Sequence, residues 1–188
     1  TKGTDYLVGN LIQSLLLTIV IIAVMMFYMF RSFKMVIISL IPNLLPLLVT
    51  AGVMGYAGIP LKPSTILVFG IAFGISIDDT IHFLAKYRQE LVLHKWKVKR
   101  SVYAALQETG ISMFYTSIIL LFGFSIFTLS SFGGTKALGG LISTTLFFAM
   151  ASNLILLPSL LIALEKSIAN KKTLIEPHID VLGEDEEE

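Results

Sequence analysis

Apolar residues run in long blocks separated by short polar breaks, and the block lengths decide the reading. Residues 11–30 (LIQSLLLTIVIIAVMMFYMF) form a nearly unbroken run of about the 20 residues a helix needs to cross a bilayer. Arg31 and Lys34 bracket a tight turn, and residues 35–56 cross back. That second span holds Pro42, Asn43 and Pro46. Proline would break a helix in water, but neighbouring helices in a bilayer can satisfy the carbonyls it frees, so a kinked span is expected. Gly58, Pro60, Lys62 and Pro63 make a short loop before a third span over 64–87. A fourth covers 111–129 and ends at Ser130, Ser131, Phe132, Gly133 and Gly134. A fifth covers 137–164 and is closed by Glu165 and Lys166. The pattern predicts an all-α transmembrane protein, a bundle of five helices.

The one long polar interval, residues 88–108 (RQELVLHKWKVKRSVYAALQE), carries Lys95, Lys97, Lys99 and Arg100. Trp96, Val98, Val102 and Leu106 give it an apolar side. This spacing predicts an amphipathic segment over 88–110 lying in the headgroup layer. Residues 1–9 read as a polar lead-in, 10–166 as the membrane domain, and 167–188, ending in GEDEEE, as a solvated acidic tail.

Composition agrees. The chain is 55 % hydrophobic and 14 % charged, with a mean hydropathy of +0.82. A soluble domain carries about a quarter charged residues. Zero cysteines exclude a disulfide framework and thiolate metal sites. The chain begins at Thr1, with no basic leader before the first apolar run, and is expected to be a piece of a longer polypeptide.

Against this background the third span is unusual. Its apolar run leads into Asp78 and Asp79, with His82 one turn later and Lys86 and Arg88 marking the aqueous edge. Both acids fall roughly 5 Å from a span centre taken near residue 75, at about 1.5 Å per residue. A carboxylate near the middle of a span costs about 2.5–3.5 kcal/mol on insertion scales, so a pair of them implies function. Gly70, Gly74 and Asp78 recur every four residues, a seam that predicts close approach of another helix and an Asp78 side chain facing an interface. Adjacent carboxyl groups in a poorly hydrated place cannot both ionise cheaply, and a pair that exchanges protons can bias helix packing. Thr116 and Ser117, at comparable depth in the fourth span, are candidate hydrogen-bond partners, and Asn43 and Asn153 are further polar groups that need partners.

Other readings compete. The acids could serve only as hydrogen-bonding glue, and each hydroxyl could bond back to its own helix. Asp-Asp-x-x-His has helical metal-ligand spacing, but further ligands are not evident, so no metal and no cofactor is expected. An intramembrane aspartyl protease needs its acids on different helices, whereas Asp78 and Asp79 are neighbours on one. The chain is therefore expected not to be an enzyme. Nothing in its basic run requires nucleic acid.

The stretches GISIDDTIHFLAKYRQEL, IPNLLPLL, ALQETGISMFYTSIILLFGF, SSFGGTKALGGL and ASNLILLPSLL resemble, in order and spacing, the RND superfamily, and within it the MMPL-type and Patched-like exporters. The likeness covers nearly the whole apolar region. It implies the last five helices of a six-helix half, here the C-terminal half, which would face an N-terminal RND half of the same polypeptide. It further implies export of lipid or other hydrophobic substrates driven by protons, in a bacterial inner membrane among membrane lipids, with homo-oligomers an option. The family's acidic motif maps onto Asp78 and Asp79, with His82 accessory, and its hydroxyl-bearing helix onto Thr116 and Ser117. Many MMPL members carry Asp-Tyr where this chain has Asp-Asp. Sterol-sensing profiles recognise the same five-helix block, so a lipid- or sterol-sensing module without transport is the alternative.

Basic residues set an expected orientation. About eleven of them, including Arg31, Lys34, Lys86, Arg88 and the 95–100 cluster, fall on one side of the five spans, against about three (Lys2, Lys62, Lys136) on the other. The N-terminus is therefore expected outside and the C-terminus in the cytoplasm. A single cysteine introduced at Leu61 should react with an impermeant maleimide from outside intact cells, and one at Lys97 only after permeabilisation. The reverse pattern inverts the topology.

Overall fold

The structure, a computed structural model, describes residues 2–164, and its regular elements are all helical. Helix α1 spans Lys2–Phe30, α2 Phe33–Tyr56 and α3 Pro63–Leu93. Helix α4 (Val98–Ala105) passes through a π-helical turn, Leu106–Gly110, into α5 (Ile111–Ser125), which tightens into a 3₁₀ turn at Ile126–Leu129. Helix α6 (Gly133–Ala151) passes through a second π-turn, Ser152–Leu156, into α7 (Leu157–Ala163). These make five rods long and apolar enough to cross a membrane, as the hydropathy pattern requires.

Helix α3 is the hub, touching α1, α2, α4 and α6, while α6 lies between α5 and the rest. At about 1.5 Å per residue its 31 residues measure roughly 46 Å, well beyond a hydrocarbon core of about 30 Å. One apolar core gathers at the end where α3 meets α4, around Phe30, Phe83, Tyr87, Val102 and Leu161. A second lies towards the other end, around Met54, Val68, Ile142 and Leu146. Outward-facing Leu16, Leu17, Val20, Ile21 and Val24 of α1 are exposed, as a lipid-facing stripe should be.

Three boundaries differ from the sequence expectation. The helix of the first span already begins at Lys2, so the polar lead-in forms its opening turns. Residues 88–93 complete α3 rather than start a separate surface helix. The stretch expected to lie in the headgroup layer is then cut by a chain reversal: Trp96 N–H bonds the Leu91 carbonyl at 2.8 Å and Lys95 N–H the Val92 carbonyl at 3.1 Å. This is a Schellman cap, with Lys95 (φ 50) and Trp96 (φ 64) in the left-handed region. Beyond it Val98, Val102 and Ala105 are buried, so the apolar side of α4 faces protein. The acidic tail lies outside the described residues.

The same cap closes α2, where Gly58 (φ 63) supplies the left-handed residue and Ile59 N–H reaches the Met54 carbonyl at 2.9 Å. Pro63 opens α3 at a position that needs no donor, and the Thr65 hydroxyl accepts the Lys62 N–H at 2.8 Å. Helix α2 runs continuously through both prolines. Pro46 cannot donate to the Pro42 carbonyl four residues back, and Ser152 from the second π-turn does so instead, at 2.7 Å. One turn further, the hydroxyls of Thr50 and Thr145 bond at 2.6 Å and tie α2 to α6.

Helices α5 and α6 meet closely at Gly139. A Cβ there would lie 2.5 Å from Phe127 Cβ and 2.7 Å from the Phe124 carbonyl oxygen, whereas one at Gly140 would find Thr128 Cγ2 at an ordinary 3.7 Å. Gly139→Ala should therefore destabilise the protein by about 1–3 kcal/mol through overpacking. Gly140→Ala should leave the detergent-solubilised melting transition near the parent's. Equal melting of the two variants would refute the close contact.

Candidate functional site

The middle of α3 carries two chemically distinct faces. Ser76 and Thr80, one turn apart, point inward. Asn43 meets them from α2 and Asn153 from the π-turn between α6 and α7, and all four are at most 3 % exposed. Their hydrogen bonds close into a ring. Ser76 Oγ donates to Asn43 Oδ1 (2.5 Å), Asn43 Nδ2 to Thr80 Oγ1 (2.9 Å), Thr80 Oγ1 to Asn153 Oδ1 (3.1 Å), and Asn153 Nδ2 to Ser76 Oγ (3.3 Å). Each amide nitrogen has a second hydrogen, and these go to the carbonyls of Ser39 (2.6 Å) and Ser76 (3.0 Å). The network is fully satisfied, as buried polar groups in a dry interior must be.

The acids occupy the rest of the circumference. Asp79 is half-buried and lies near Ser117 of α5, which is itself buried. Asp78, midway along α3, turns outward and meets His82 one turn on, with Nε2 to Oδ1 at 3.6 Å. Both of those side chains are over 70 % exposed. Of the residues predicted to act together, Asp79 lies near Ser117 and Asp78 next to His82. The structure separates Thr116, which is exposed and bonds back to the Ser112 and Met113 carbonyls at 3.0 Å.

The glycine seam has no neighbour among the described residues. Gly70 and Gly74 are exposed, and a Cβ built on either meets nothing within 4 Å. Among the described residues no helix closes on them, because α1, α2, α4 and α6 already occupy other sides of α3. Asp78 therefore faces an open side of the bundle instead of an internal interface.

Sequence reasoning flagged Asn43 and Asn153 as needing partners but missed Ser76, Thr80 and Ser152. The signal available was the i, i+4 spacing of Ser76 and Thr80, opposite the glycines. It also missed a charged cluster where α3 meets α4. Lys86 lies 3.2 Å from Glu90 and 2.5 Å from Glu108, His94 Nδ1 is 3.3 Å from Glu90, and Ser101 Oγ donates to the Glu90 carbonyl at 3.1 Å. These contacts fasten the end of α3 to α4 and the first π-turn.

Chemically, the arrangement offers a pair of carboxyl groups on a membrane-length helix, one half-buried near a hydroxyl and one open, beside an uncharged hydrogen-bonded anchor. Among the described residues no group of three or more His, Cys, Asp or Glu side chains is placed to hold a metal ion.

A protein of Methanocaldococcus jannaschii named "Putative membrane protein MJ1562" is 28 % identical over 147 residues, which cover 78 % of this chain and 38 % of that relative. No solved structure matches. The profile of the MMPL family matches residues 4–177, nearly the full length. A multi-pass membrane protein with this helix order and this profile match belongs to the MMPL family.

Proposed function

We propose that this chain is the proton-coupling membrane part of an RND-superfamily exporter of lipid or other hydrophobic substrates. MMPL membership supports the transporter class. The observation that carries the coupling is the Asp78–Asp79 pair midway along α3, with Asp79 against Ser117 and Asp78 on an open side. A carboxyl group so placed can exchange a proton with the open side and, in gaining or losing charge, alter its attraction for the Ser117 hydroxyl. A proton crossing the membrane potential carries about 2.3 kcal/mol per 100 mV, enough to bias a small helix rearrangement. His82, one turn towards the basic end, is the group that would relay the proton to water. The open side would be covered by a second membrane half, and the substrate would be handled by parts of the protein beyond this chain, whose match spans 38 % of its relative. The N-terminus would lie outside the cell membrane, and no enzymatic step is invoked.

Asp78→Asn and Asp79→Asn each keep the side chain's shape and hydrogen-bonding capacity while removing the exchangeable charge. In the intact protein, reconstituted in vesicles with an imposed proton gradient, either change should reduce gradient-driven movement of a fluorescent phospholipid analogue at least about tenfold, with membrane insertion unchanged. Undiminished movement in the double variant overturns the proton relay. Loss of a response to sterol or lipid content alone, with movement intact, favours a sensing module.

A further inference from the structure

We propose that the Asn43–Ser76–Thr80–Asn153 ring is a positioning device that fixes the roll of α3 about its axis and so sets how Asp79 meets Ser117. The proposal rests on the proton-coupling reading and deepens it by assigning positioning roles to four residues that carry no charge. The ring grips α3 from two directions, through Asn43 on α2 and Asn153 on the π-turn after α6. A roll of about 20° moves atoms about 5 Å from the axis by nearly 2 Å, which a hydrogen bond does not survive. Asp79 directly precedes Thr80, so the same roll carries its carboxylate away from Ser117.

The π-turn makes the grip specific. Its extra residue re-aims Asn153 at α3 while Ser152 holds the Pro42 carbonyl of α2 at 2.7 Å. Both neighbours of α3 are thereby braced against each other as well as against α3. The groups acting on Asp79 are Asp78 and His82 of α3 and Ser117 of α5. Helix α2 has no charged residue beyond Lys34, and α6 none beyond Lys136, each in its first turns. The described charges of α1 and α4 likewise sit at helix ends, away from the middle of α3. The ring therefore influences Asp79 by geometry and not by a charge of its own.

The test uses the intact protein in vesicles and dicyclohexylcarbodiimide, which modifies protonated carboxyl groups in apolar surroundings, with mass spectrometry of the α3 peptide as readout. Thr80→Val keeps the shape and breaks the ring. It should move the pH midpoint of labelling by about half a unit or more, and Thr80→Ser should restore it. Thr50→Val breaks the other buried inter-helix hydroxyl pair and should leave the midpoint in place. A midpoint unmoved by Thr80→Val, or moved as far by Thr50→Val, overturns the proposal. Should Thr80→Val fail to insert, Ser76→Ala replaces it, since the Asn153 bond to the Ser76 carbonyl survives that change.

A second readout does not depend on any proton. Ile75 and Leu120 lie one turn along α3 and α5 from Asp79 and Ser117 and border the same apolar cluster. Spin labels on cysteines at these two positions, with no other cysteine in the protein, should give a narrow distance distribution, a shifted or broadened one with Thr80→Val, and the narrow one again with Thr80→Ser. That outcome supports the ring even if Asp79→Asn leaves export intact. A distribution unchanged by Thr80→Val overturns it even if export depends on Asp79.

Discussion

Everything in this bundle depends on satisfying polar groups where water cannot reach. In lipid an unpaired amide or hydroxyl costs several kcal/mol, so each must find a partner inside the protein. The chain places its buried Asn, Ser and Thr where two or three helices meet, and their hydrogen bonds specify helix angle and depth that apolar contact alone leaves loosely set. The ring around Ser76 and Thr80 shows this most fully, and the Ser152 bond to the Pro42 carbonyl shows the same economy applied to backbone. A proline that would disable a soluble helix here creates the acceptor that docks its neighbour.

That constraint separates α3 into an anchored side and an ionisable side. Ring residues bear no charge and are buried, whereas Asp78 and His82 are exposed and Asp79 lies between the two regimes. The ionisable side chains are thus kept beside, rather than inside, the network that holds the helix. Membership of the MMPL family sets this division in a multi-pass membrane protein.

The five spans were legible because bilayer thickness dictates their length, and no tertiary information is needed to count them. Asp78 and Asp79 were legible for the same reason, since charge inside an apolar run has no cheap explanation. Chain reversal at Lys95–Trp96 was hidden: left-handed caps usually announce themselves with Gly or Asn, as Gly58 does, and here burial of Trp96 and α4 against the core overrides that preference. Neither π-turn has a local signature, although Pro158 shortly after the second is consistent with it. Asn43 and Asn153 were visible as polar residues in want of partners, but their meeting is a property of helices 110 positions apart in sequence, as the Asn153 neighbour Ser152 and Pro42 illustrate. The glycine seam finds no partner among the described residues, since small residues mark where a backbone can approach, not which chain supplies it.

Helix α3 also continues without a break from its loop at Pro63 to the charged cluster of Lys86, Glu90 and Glu108. An uninterrupted α-helix transmits torque along its length. Any small turn at the carboxyl pair would therefore arrive, like the twist of a screwdriver shaft, at the ion pairs that tie the far end of α3 to the first π-turn.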